Sequence, residues 1–471
     1  MSKRKMIDRR IFLKKLGFGA LTTAATLSAA GSLLSFTTMD EEDKLNGKSI
    51  RSVGDWTGSI TYRINRHTSD KVSLLGYGCM RWPTKQGTDQ IDQEKVNQLV
   101  DYAMSHGVNY YDTAPAYGDG SSETALGIAI HKYPRDKYYI ATKMSNFAPQ
   151  DQSKEASLAM YNASKKRLQI DYIDYYLLHA IGMGGMDSFK ARFINNGILD
   201  FLLNERKEGC IRNLGFSYHG DIEVFDYLLK QDIQWDFVQI ELNYVDWKYA
   251  KQMNPRNTDA EYLYNELEKK GIQAIIMEPL LGGRLAKINE HLGSRLKAKR
   301  PNDSIASWAF RYAGSLPNVL TVLSGMTYLE HLQDNLHIYS PLDPCTSSEL
   351  SLLENVAKIY SSYPMIPCTG CHYCMPCPFG LDIPANFAYY NKCVNDGTLP
   401  TDPLSPDYQK QVRIFLDGYN RSVSEKKQAL NCAECGNCLS HCPQHIQIPT
   451  QMRRISNMVE EMKKVKLTSK S

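Results

Sequence analysis

Short apolar segments alternate with amphipathic segments through the middle of the chain, from about residue 72 to residue 323. The apolar segments have the length of buried strands, and the segments between them repeat apolar residues at helical spacing. Strands are predicted at residues 72–78, 108–112, 138–142, 173–178, 211–217, 237–242, 274–277 and 319–323. Helices are predicted between them at residues 93–106, 154–168, 198–208, 223–230, 259–270 and 304–312. This alternation favours a parallel sheet covered by helices.

The number and length of these units indicate the α/β fold. Eight strands with crossovers, spread over about 285 residues, are typical of a (β/α)8 TIM barrel. Residues 60–73 are expected to form a hairpin that closes the floor of the barrel. A doubly wound open sheet is the alternative, but no Gly-x-Gly-x-x-Gly follows the first strand.

The C-terminal part is dominated by cysteine. Eight of the twelve cysteines lie in two short runs, each ending in Cys-Pro. The runs are Cys368, Cys371, Cys374 and Cys377, then Cys432, Cys435, Cys438 and Cys442. The second run has the bacterial ferredoxin spacing, in which the fourth cysteine ligates the other cluster. Eight thiolates match two 4Fe-4S clusters, so we predict a segment that carries electrons.

Other roles for these cysteines fit less well. Structural zinc sites use two separated Cys-x-x-Cys pairs, and neighbouring cysteines cannot form disulfides that staple a fold. The first run has two residues, not three, before its last cysteine, which favours cross-ligation. One cluster would then use Cys442 with the first three cysteines of run one, and the other would use Cys377 with those of run two. Flanking helices, two of them opened by Pro384 and Pro449, predict a mostly α-helical ferredoxin-like domain.

The N-terminus carries a targeting pattern. Arg9 and Arg10, followed by Phe12, Leu13 and Lys14, resemble a twin-arginine export signal, and a small-residue apolar stretch follows. We expect a signal peptide at residues 1–36, a linker at 37–59, export to the periplasm, and the twin-arginine translocation machinery as a partner. A basic tail before a membrane anchor is the alternative, so an uncleaved signal would leave the protein membrane-associated.

Charge excludes one class of partner. Residues 1–30 hold seven Lys or Arg and one Asp; subtracting this +6 from the formal +4 of the chain leaves −2. A nearly neutral mature protein has no electrostatic footprint for nucleic acid.

Four reactive side chains lie at or just after the ends of predicted strands. Asp112 ends the second strand and Tyr117 follows in its loop, whereas Lys143 ends the third strand and His179 the fourth. TIM-barrel active sites form at the C-terminal ends of the strands. These residues are therefore expected to converge on one rim.

This order of Asp, Tyr, Lys and His resembles the catalytic tetrad of the aldo/keto reductases. The resemblance extends from residue 60 to residue 339 and includes segments similar to the family's cofactor-side loops, at 215–220, 239–244, 277–280 and 324–335. Fusion to the cysteine runs resembles a ferredoxin-containing branch of that family. We predict a barrel domain at residues 60–345 and a helical iron-sulfur domain at 346–471.

The resemblance implies an oxidoreductase that interconverts a carbonyl and an alcohol on a small molecule. Tyr117 would be the general acid/base. Lys143 is expected to lower the pKa of the Tyr117 phenol, which is ordinarily about 10. Asp112 would hold the lysine, and His179 would donate a hydrogen bond to the substrate oxygen.

A nicotinamide, NAD(P)H, is the hydride source that the resemblance implies. The residues expected to contact it are Ser217, Gln239, Tyr244, Leu280, Gly282, Ser324, Gly325, Met326 and Asn335, with Asn243 as an alternative holder of the carboxamide. Met326 stands where the family often has an arginine for the 2′-phosphate of NADP. Arg284 is a candidate substitute, so the choice between NAD and NADP stays open.

Electron supply leaves two further hypotheses. Hydride carries two electrons, and two clusters could deliver them in sequence from an external redox partner protein, through a retained nicotinamide or none.

The first alternative function is an exported electron-transfer protein whose barrel is a docking or binding scaffold. The second is a binding protein of the potassium-channel-subunit type. Residues 79–82 are expected to line the mouth, where an aromatic wall would suit a sugar or another hydroxylated or polycyclic carbonyl compound.

Overall fold

A closed barrel forms the larger part of the molecule. The computed structural model describes residues 58–254, 257–401, 403 and 407–465. Its strands are β1 (Tyr62–Ile64), β2 (Lys71–Ser73), β3 (Leu75–Gly78), β4 (Tyr110–Asp112), β5 (Tyr139–Met144), β6 (Ile173–Ile181), β7 (Ile211–Tyr218), β8 (Phe237–Glu241), β9 (Gln273–Met277) and β10 (Val319–Ser324). Strands β3 to β10 pair in parallel and in chain order, and β10 closes onto β3. The predicted (β/α)8 barrel is confirmed.

The first predicted strand is divided in two. Lys71–Ser73 pairs antiparallel with β1, whereas Leu75–Gly78 enters the barrel. Between them the backbone N–H of Leu74 donates to Thr61 and its carbonyl accepts from Val322, so the chain passes from hairpin to barrel at this residue. The predicted single strand over 72–78 is wrong in this detail, and the predicted hairpin is confirmed.

Helices surround the barrel. Those of the barrel region are α1 (Gln93–Ser105), α2 (Ser121–Ile130), α3 (Lys154–Leu168), α4 (Gly185–Phe189), α5 (Ile198–Lys207), α6 (Ile222–Lys230), α7 (Asp246–Met253), α8 (Ala260–Lys269), α9 (Glu290–Lys299), α10 (Ile305–Ser315) and α11 (Leu329–Ile338). Side-chain N-caps fix several of them: Asp92 accepts from Lys95 N, and Ser153 accepts from Ala156 N. The helices therefore begin where local chemistry satisfies their first N–H groups.

Alternation along the strands fills the barrel interior. Tyr110, Ala141, Tyr175, Phe237 and Ile275 belong to one buried apolar cluster inside the barrel. Successive side chains of a strand point to opposite faces, so residues two or four positions further on face inward as well. At the C-terminal ends of β4, β5 and β6 those positions are polar, which places the candidate tetrad over an apolar core.

The C-terminal region is helical, as predicted. It contains α12 (Ser347–Ser361), α13 (Ile383–Asn395), α14 (Tyr408–Ser422) and α15 (Ile448–Lys464). Leu353 and Val356 of α12 belong to the apolar core of the barrel, whereas a second core begins at Ile366. The two cores therefore separate after α12. The predicted domain limit at 345/346 stays a prediction.

The targeting pattern lies outside the described residues, because residues 1–57 hold both the predicted signal and nearly all of the linker. Among the helices that the structure does describe, none has the length and apolar character to cross a membrane.

Candidate active site and iron-sulfur sites

Asp112 and Lys143 form a buried ion pair at the mouth of the barrel. Lys143 Nζ lies 2.5 Å from Asp112 Oδ1 and donates to the Thr113 carbonyl at 2.8 Å. The exposed fraction is 3% for Asp112 and 1% for Lys143. Burial raises the pKa of the Asp112 carboxyl, and Lys143 acts against that shift. The pair thus places a nearly neutral dipole beneath the reacting groups.

Tyr117 lies over this pair but is not made acidic by it. Lys143 Nζ is 5.0 Å from the centroid of the Tyr117 ring. Burial raises the pKa of the Tyr117 phenol well above its usual value, the Asp112 carboxylate adds to the rise, and a hydrogen bond from Tyr373 opposes it. The prediction that this pKa is lowered is wrong in the structure, because the effect of burying the phenol exceeds the influences that oppose it.

His179 is held as a neutral hydrogen-bond donor. Its Nδ1 lies 2.6 Å from the hydroxyl of Ser145, and its ring meets the Tyr117 ring edge-on with centroids 5.9 Å apart. Burial lowers the pKa of His179 well below its usual value, and the charges of Lys143 and Arg192 add to this effect. If Ser145 donates to Nδ1, the proton sits on Nε2 and points toward the mouth.

A side chain of the iron-sulfur domain reaches the same place. Tyr373 lies between Cys371 and Cys374, and its hydroxyl is 3.5 Å from His179 Nε2. The Tyr117 phenol is close enough to act on the pKa of Tyr373 as well. Its ring centroid is 6.2 Å from that of Phe147. The cysteine-rich loop therefore contributes to the barrel mouth directly.

Loops of the iron-sulfur domain cover the remaining strand ends. Arg81, after β3, donates to the Thr369 carbonyl at 2.9 Å. Gln444 Nε2 donates to Glu241 Oε1, at the end of β8, at 2.7 Å. A Cβ at Gly282, after β9, would lie 2.5 Å from Thr369 Cα. Two loops, around residues 369 and 444, thus rest on the rim.

The expected nicotinamide contacts fall into different environments. Gln239 faces the interior, with Nε2 3.6 Å from Met277 Sδ and its buried Oε1 without a hydrogen-bond partner. Ser217, on the neighbouring strand, accepts from Ala180 N at 2.8 Å. Tyr244 instead packs edge-on against Tyr312 of α10, among the outer helices.

The expected phosphate side is partly taken by the chain itself. Asn335 Nδ2 donates to Ser324 Oγ at 2.8 Å, and Met326 is fully buried. The space next to Gly282 is occupied by Thr369, as described above. Leu280 is half-buried. A Cβ at Gly325 would lie 3.4 Å from Arg81 Cδ.

Arg284, the candidate substitute for a phosphate-binding arginine, turns toward the iron-sulfur domain. Its Nη1 lies 3.5 Å from the Ile366 carbonyl, and its Nε donates to the Leu281 carbonyl at 3.2 Å. Gln239 Oε1 and Arg284 Nη2 are both buried without a hydrogen-bond partner, so each could bind a polar group of a cofactor. The cofactor contacts themselves stay predictions.

The cysteines assemble in two mixed sets. One recess is lined by Cys368, Cys371, Cys374 and Cys442. A second, larger recess is lined by Cys377, Cys432, Cys435 and Cys438, and Cys374 borders it too. Each set combines both runs, as the spacing predicts. The ligation itself stays a prediction.

The set that contains Cys442 has a further feature of a cluster site. Gly370 N and Ile446 N each lie 3.4 Å from a cysteine sulfur, Cys368 and Cys442 respectively, and such N–H···S bonds tune cluster potentials. Within the described residues no His, Cys, Asp or Glu side chains converge to hold a single metal ion.

Several neighbours of the tetrad escaped sequence reasoning. Ser145 follows Lys143 by two positions, so strand alternation could have shown that it shares the inward face. Trp82, expected at the mouth, packs on Tyr77 with centroids 4.9 Å apart. Cys79 is fully buried. The aromatic wall is formed instead by Phe147 and Tyr373, and nothing in the spacing of the cysteines indicated the role of Tyr373.

Fold and site together define an enzyme: an oxidoreductase with a TIM-barrel active site. The aldo/keto reductase family model matches residues 74–357, and a 4Fe-4S dicluster domain model matches residues 367–447. The chain belongs to the aldo/keto reductase family and carries a C-terminal 4Fe-4S domain.

Curated relatives and solved structures agree with this assignment. L-galactose dehydrogenase from Arabidopsis thaliana is 25% identical over 311 residues, 63% of this chain and 93% of that protein. NADH-specific methylglyoxal reductase from Escherichia coli K12 is 25% identical over 315 residues, covering 58% and 92%. The holo form of an aldo-keto reductase from Bacillus halodurans shares the fold, with a TM-score of 0.50, 23% identity, and coverage of 63% and 96%.

Proposed function

We propose that the protein interconverts a carbonyl and an alcohol on a small molecule at the barrel mouth. The observation that carries the proposal is the convergence of Tyr117, His179 and the Lys143–Asp112 pair within a few ångströms. Tyr117 gives a proton to the carbonyl oxygen as negative charge develops there, and takes it back in the reverse direction. His179 Nε2 donates a hydrogen bond to the same oxygen.

The raised pKa of Tyr117 has a consequence for direction. A phenol that holds its proton firmly is present in the acid form throughout the neutral range. Lys143 then acts through its charge when the proton leaves, since it stabilises the phenolate that forms. We infer that, near pH 7, Tyr117 is already in the protonated form that the reduction direction requires.

A nicotinamide fits this site at its carboxamide end. Gln239, with its free buried Oε1, would hold the carboxamide, and Ser217 is its neighbour on the adjacent strand. When bound, the nicotinamide supplies hydride to the carbonyl carbon. Ser324 and Asn335 remain candidates for the far end, whereas Gly282 faces Thr369.

We further propose that two 4Fe-4S clusters supply electrons from a redox partner protein. Support comes from the position of Tyr373, which has a cysteine of the first set one residue away on one side and two residues away on the other. A site bound by Cys368, Cys371, Cys374 and Cys442 would lie next to the tetrad. The second set includes Cys435, which is exposed and therefore accessible to a partner.

The test uses the cluster-loaded protein under anaerobic conditions. Dithionite-reduced protein is mixed with methylglyoxal or cyclohexanone, with and without NADH or NADPH, and product and cluster EPR signals are followed. We expect product from the wild type and about a 10²–10⁴-fold slower rate from Tyr117→Phe, because the proton donor is lost. Tyr363→Phe, which changes a tyrosine outside the site, is the matched control. Equal rates in wild type and Tyr117→Phe would refute the assignment of the acid.

We also propose that residues 1–36 direct twin-arginine export to the periplasm. Support is the Arg9-Arg10 pair and the following small-residue stretch. Fusing these residues to a folded reporter should export it, and Arg9→Lys with Arg10→Lys should retain it in the cytoplasm. Export of both fusions would contradict a twin-arginine route.

A further inference from the structure

Tyr373 occupies the position in which a substrate oxygen would be bound. Its hydroxyl is close to both groups assigned to that oxygen: it lies 3.5 Å from His179 Nε2 and near enough to Tyr117 to act on the pKa of that phenol. The side chain comes from the iron-sulfur domain, 194 positions along the chain from His179. The mechanism proposed above assigns no step to Tyr373.

The aromatic ring of Tyr373 also packs against neighbouring rings in the way that the ring of a bound ligand would. Its centroid is 6.2 Å from the Phe147 ring at 49° and 6.4 Å from the His179 ring at 81°. The Phe147 ring in turn lies 5.0 Å from the His179 ring. Aromatic rings pack favourably at such distances and tilts. The mouth therefore has a slot for a planar ring whose oxygen points at Tyr117.

The backbone that carries Tyr373 is fixed independently of the slot. Cys371 and Cys374 flank it within one cysteine set, and Arg81 binds the carbonyls of Thr369 and Gly370 at 2.9 and 3.3 Å. A substrate can therefore displace the ring by side-chain rotation without dislodging the loop. Because Tyr373 is tethered beside the site, it competes with the substrate for that site at a constant effective concentration.

We propose that Tyr373 is a built-in occupant of the substrate site, and that the substrate is a six-membered ring compound bearing the reacting oxygen as a ring substituent. The proposal rests on the proposed function for the role of that oxygen. Binding of a cyclic ketone or ring alcohol transfers the contacts of Tyr117 and His179 from the Tyr373 hydroxyl to the substrate. Open-chain carbonyl compounds leave the Phe147 face of the slot unfilled.

The test measures binding rather than turnover, so it can succeed even if the proposed reaction is wrong. Tyr373→Ala removes a phenol-sized group, and apolar cavities made in this way bind small aromatic molecules. The probe is p-cresol, the tyrosine side chain as a free molecule, titrated by calorimetry into cluster-loaded protein. We expect binding to Tyr373→Ala at least 10-fold tighter than to the wild type or to Tyr373→Phe, which keeps the ring in place.

Two further arms decide the contacts and the ligand class. Adding Tyr117→Phe to Tyr373→Ala should weaken p-cresol binding several-fold, because one partner of the hydroxyl is lost. Cyclohexanone should bind Tyr373→Ala more tightly than pentan-2-one does. Visible absorption and EPR establish that the clusters are intact, and Tyr373→Leu replaces Tyr373→Ala if they are not.

The outcomes are decisive in both directions. Equal p-cresol affinity in wild type, Tyr373→Phe and the truncated variant would show that Tyr373 does not fill the slot. Equal affinity for cyclohexanone and pentan-2-one would overturn the ring class of substrate. Loss of turnover in the separate Tyr117→Phe experiment bears on the reaction and leaves these binding results unaffected.

Discussion

The floor and the mouth of the barrel are both polar, yet they use polar groups differently. At the floor, Asn65 donates to Tyr175 Oη at 2.8 Å and to Asn213 Oδ1 at 3.1 Å. At the mouth, Asp112 Oδ2 and Gln239 Oε1 are buried without a hydrogen-bond partner. The bonds of Asn65 satisfy this part of the floor within the chain, which stabilises the fold, although the Tyr110 hydroxyl, packed on Tyr175, is buried without a hydrogen-bond partner. The mouth leaves some of them open, which is a cost that a bound ligand can offset.

The difference arises at the two ends of the same strands. β6 carries Tyr175 near its start and His179 near its end, and both face inward. Its early position meets the closing hairpin, which is part of the same domain and always present. Its late position meets loops, which can be shaped around a reacting molecule. Polar side chains that face inward therefore stabilise the fold at the floor, whereas at the mouth they are available to contact a bound molecule.

Replacing the lysine of the mouth should have the largest effect. Lys143→Met leaves the Asp112 carboxyl buried without its cation, so the phenolate of Tyr117 is no longer stabilised. We expect carbonyl reduction to slow by about 10²–10³-fold and the free energy of unfolding to fall by about 3 kcal/mol. Initial rates and urea unfolding measure the two effects. Full activity of the Lys143→Met variant would show that the polar groups of the mouth, like those of the floor, serve only stability.

The floor provides the contrasting variant. Asn65→Ala removes the two bonds that the Asn65 amide donates and the two that its Oδ1 accepts from the backbone N–H groups of His67 and Thr68. It also leaves Tyr175 Oη without its donor. The free energy of unfolding should fall by about 1–2 kcal/mol, with turnover unchanged, as judged by urea unfolding and initial rates. A fall in turnover that matched the Lys143→Met variant would erase the proposed distinction between the two ends.

The pH dependence gives the smallest effect. The pKa of His179 is lowered and that of Tyr117 is raised, so neither group changes protonation between about pH 6.5 and 10. The rate of carbonyl reduction should therefore vary less than about twofold over this range. An inflection near pH 7 that disappears in His179→Gln would show that the histidine titrates in the working enzyme.

Stability should respond at the edges of this range. Below about pH 6.5 the unfolded chain takes up a proton at His179 that the folded chain does not, so the stability falls as the pH falls. Above about pH 10 the unfolded chain loses the Tyr117 proton while the folded chain keeps it, so the stability falls as the pH rises.

Much of the fold was predictable because burial imposes a regular pattern. The barrel strands are largely buried and mostly apolar, and α1, α3 and α5 begin or end within a residue or two of their predicted limits. The positions of Asp112, Lys143 and His179 followed from strand ends alone. These are consequences of local periodicity, which the sequence expresses directly.

Other features depend on distances between remote segments. The pKa of Tyr117 depends first on how deeply the phenol is buried, and strand order does not contain that burial. Tyr244 packs against Tyr312 of α10, a contact that no sequence pattern indicated. Tyr373 meets His179 only because the domains dock in one particular way. Sequence patterns give the elements of such a site and not their contacts.

The mixed origin of each cysteine set has a consequence for biogenesis. Neither set can be completed until α13 and α14, which lie between the two runs, have brought the runs together. Iron loading would then report on the folding of the whole C-terminal region. If a cell exported only cluster-loaded protein, export would also select for molecules in which the loops of the iron-sulfur domain are folded over the barrel mouth.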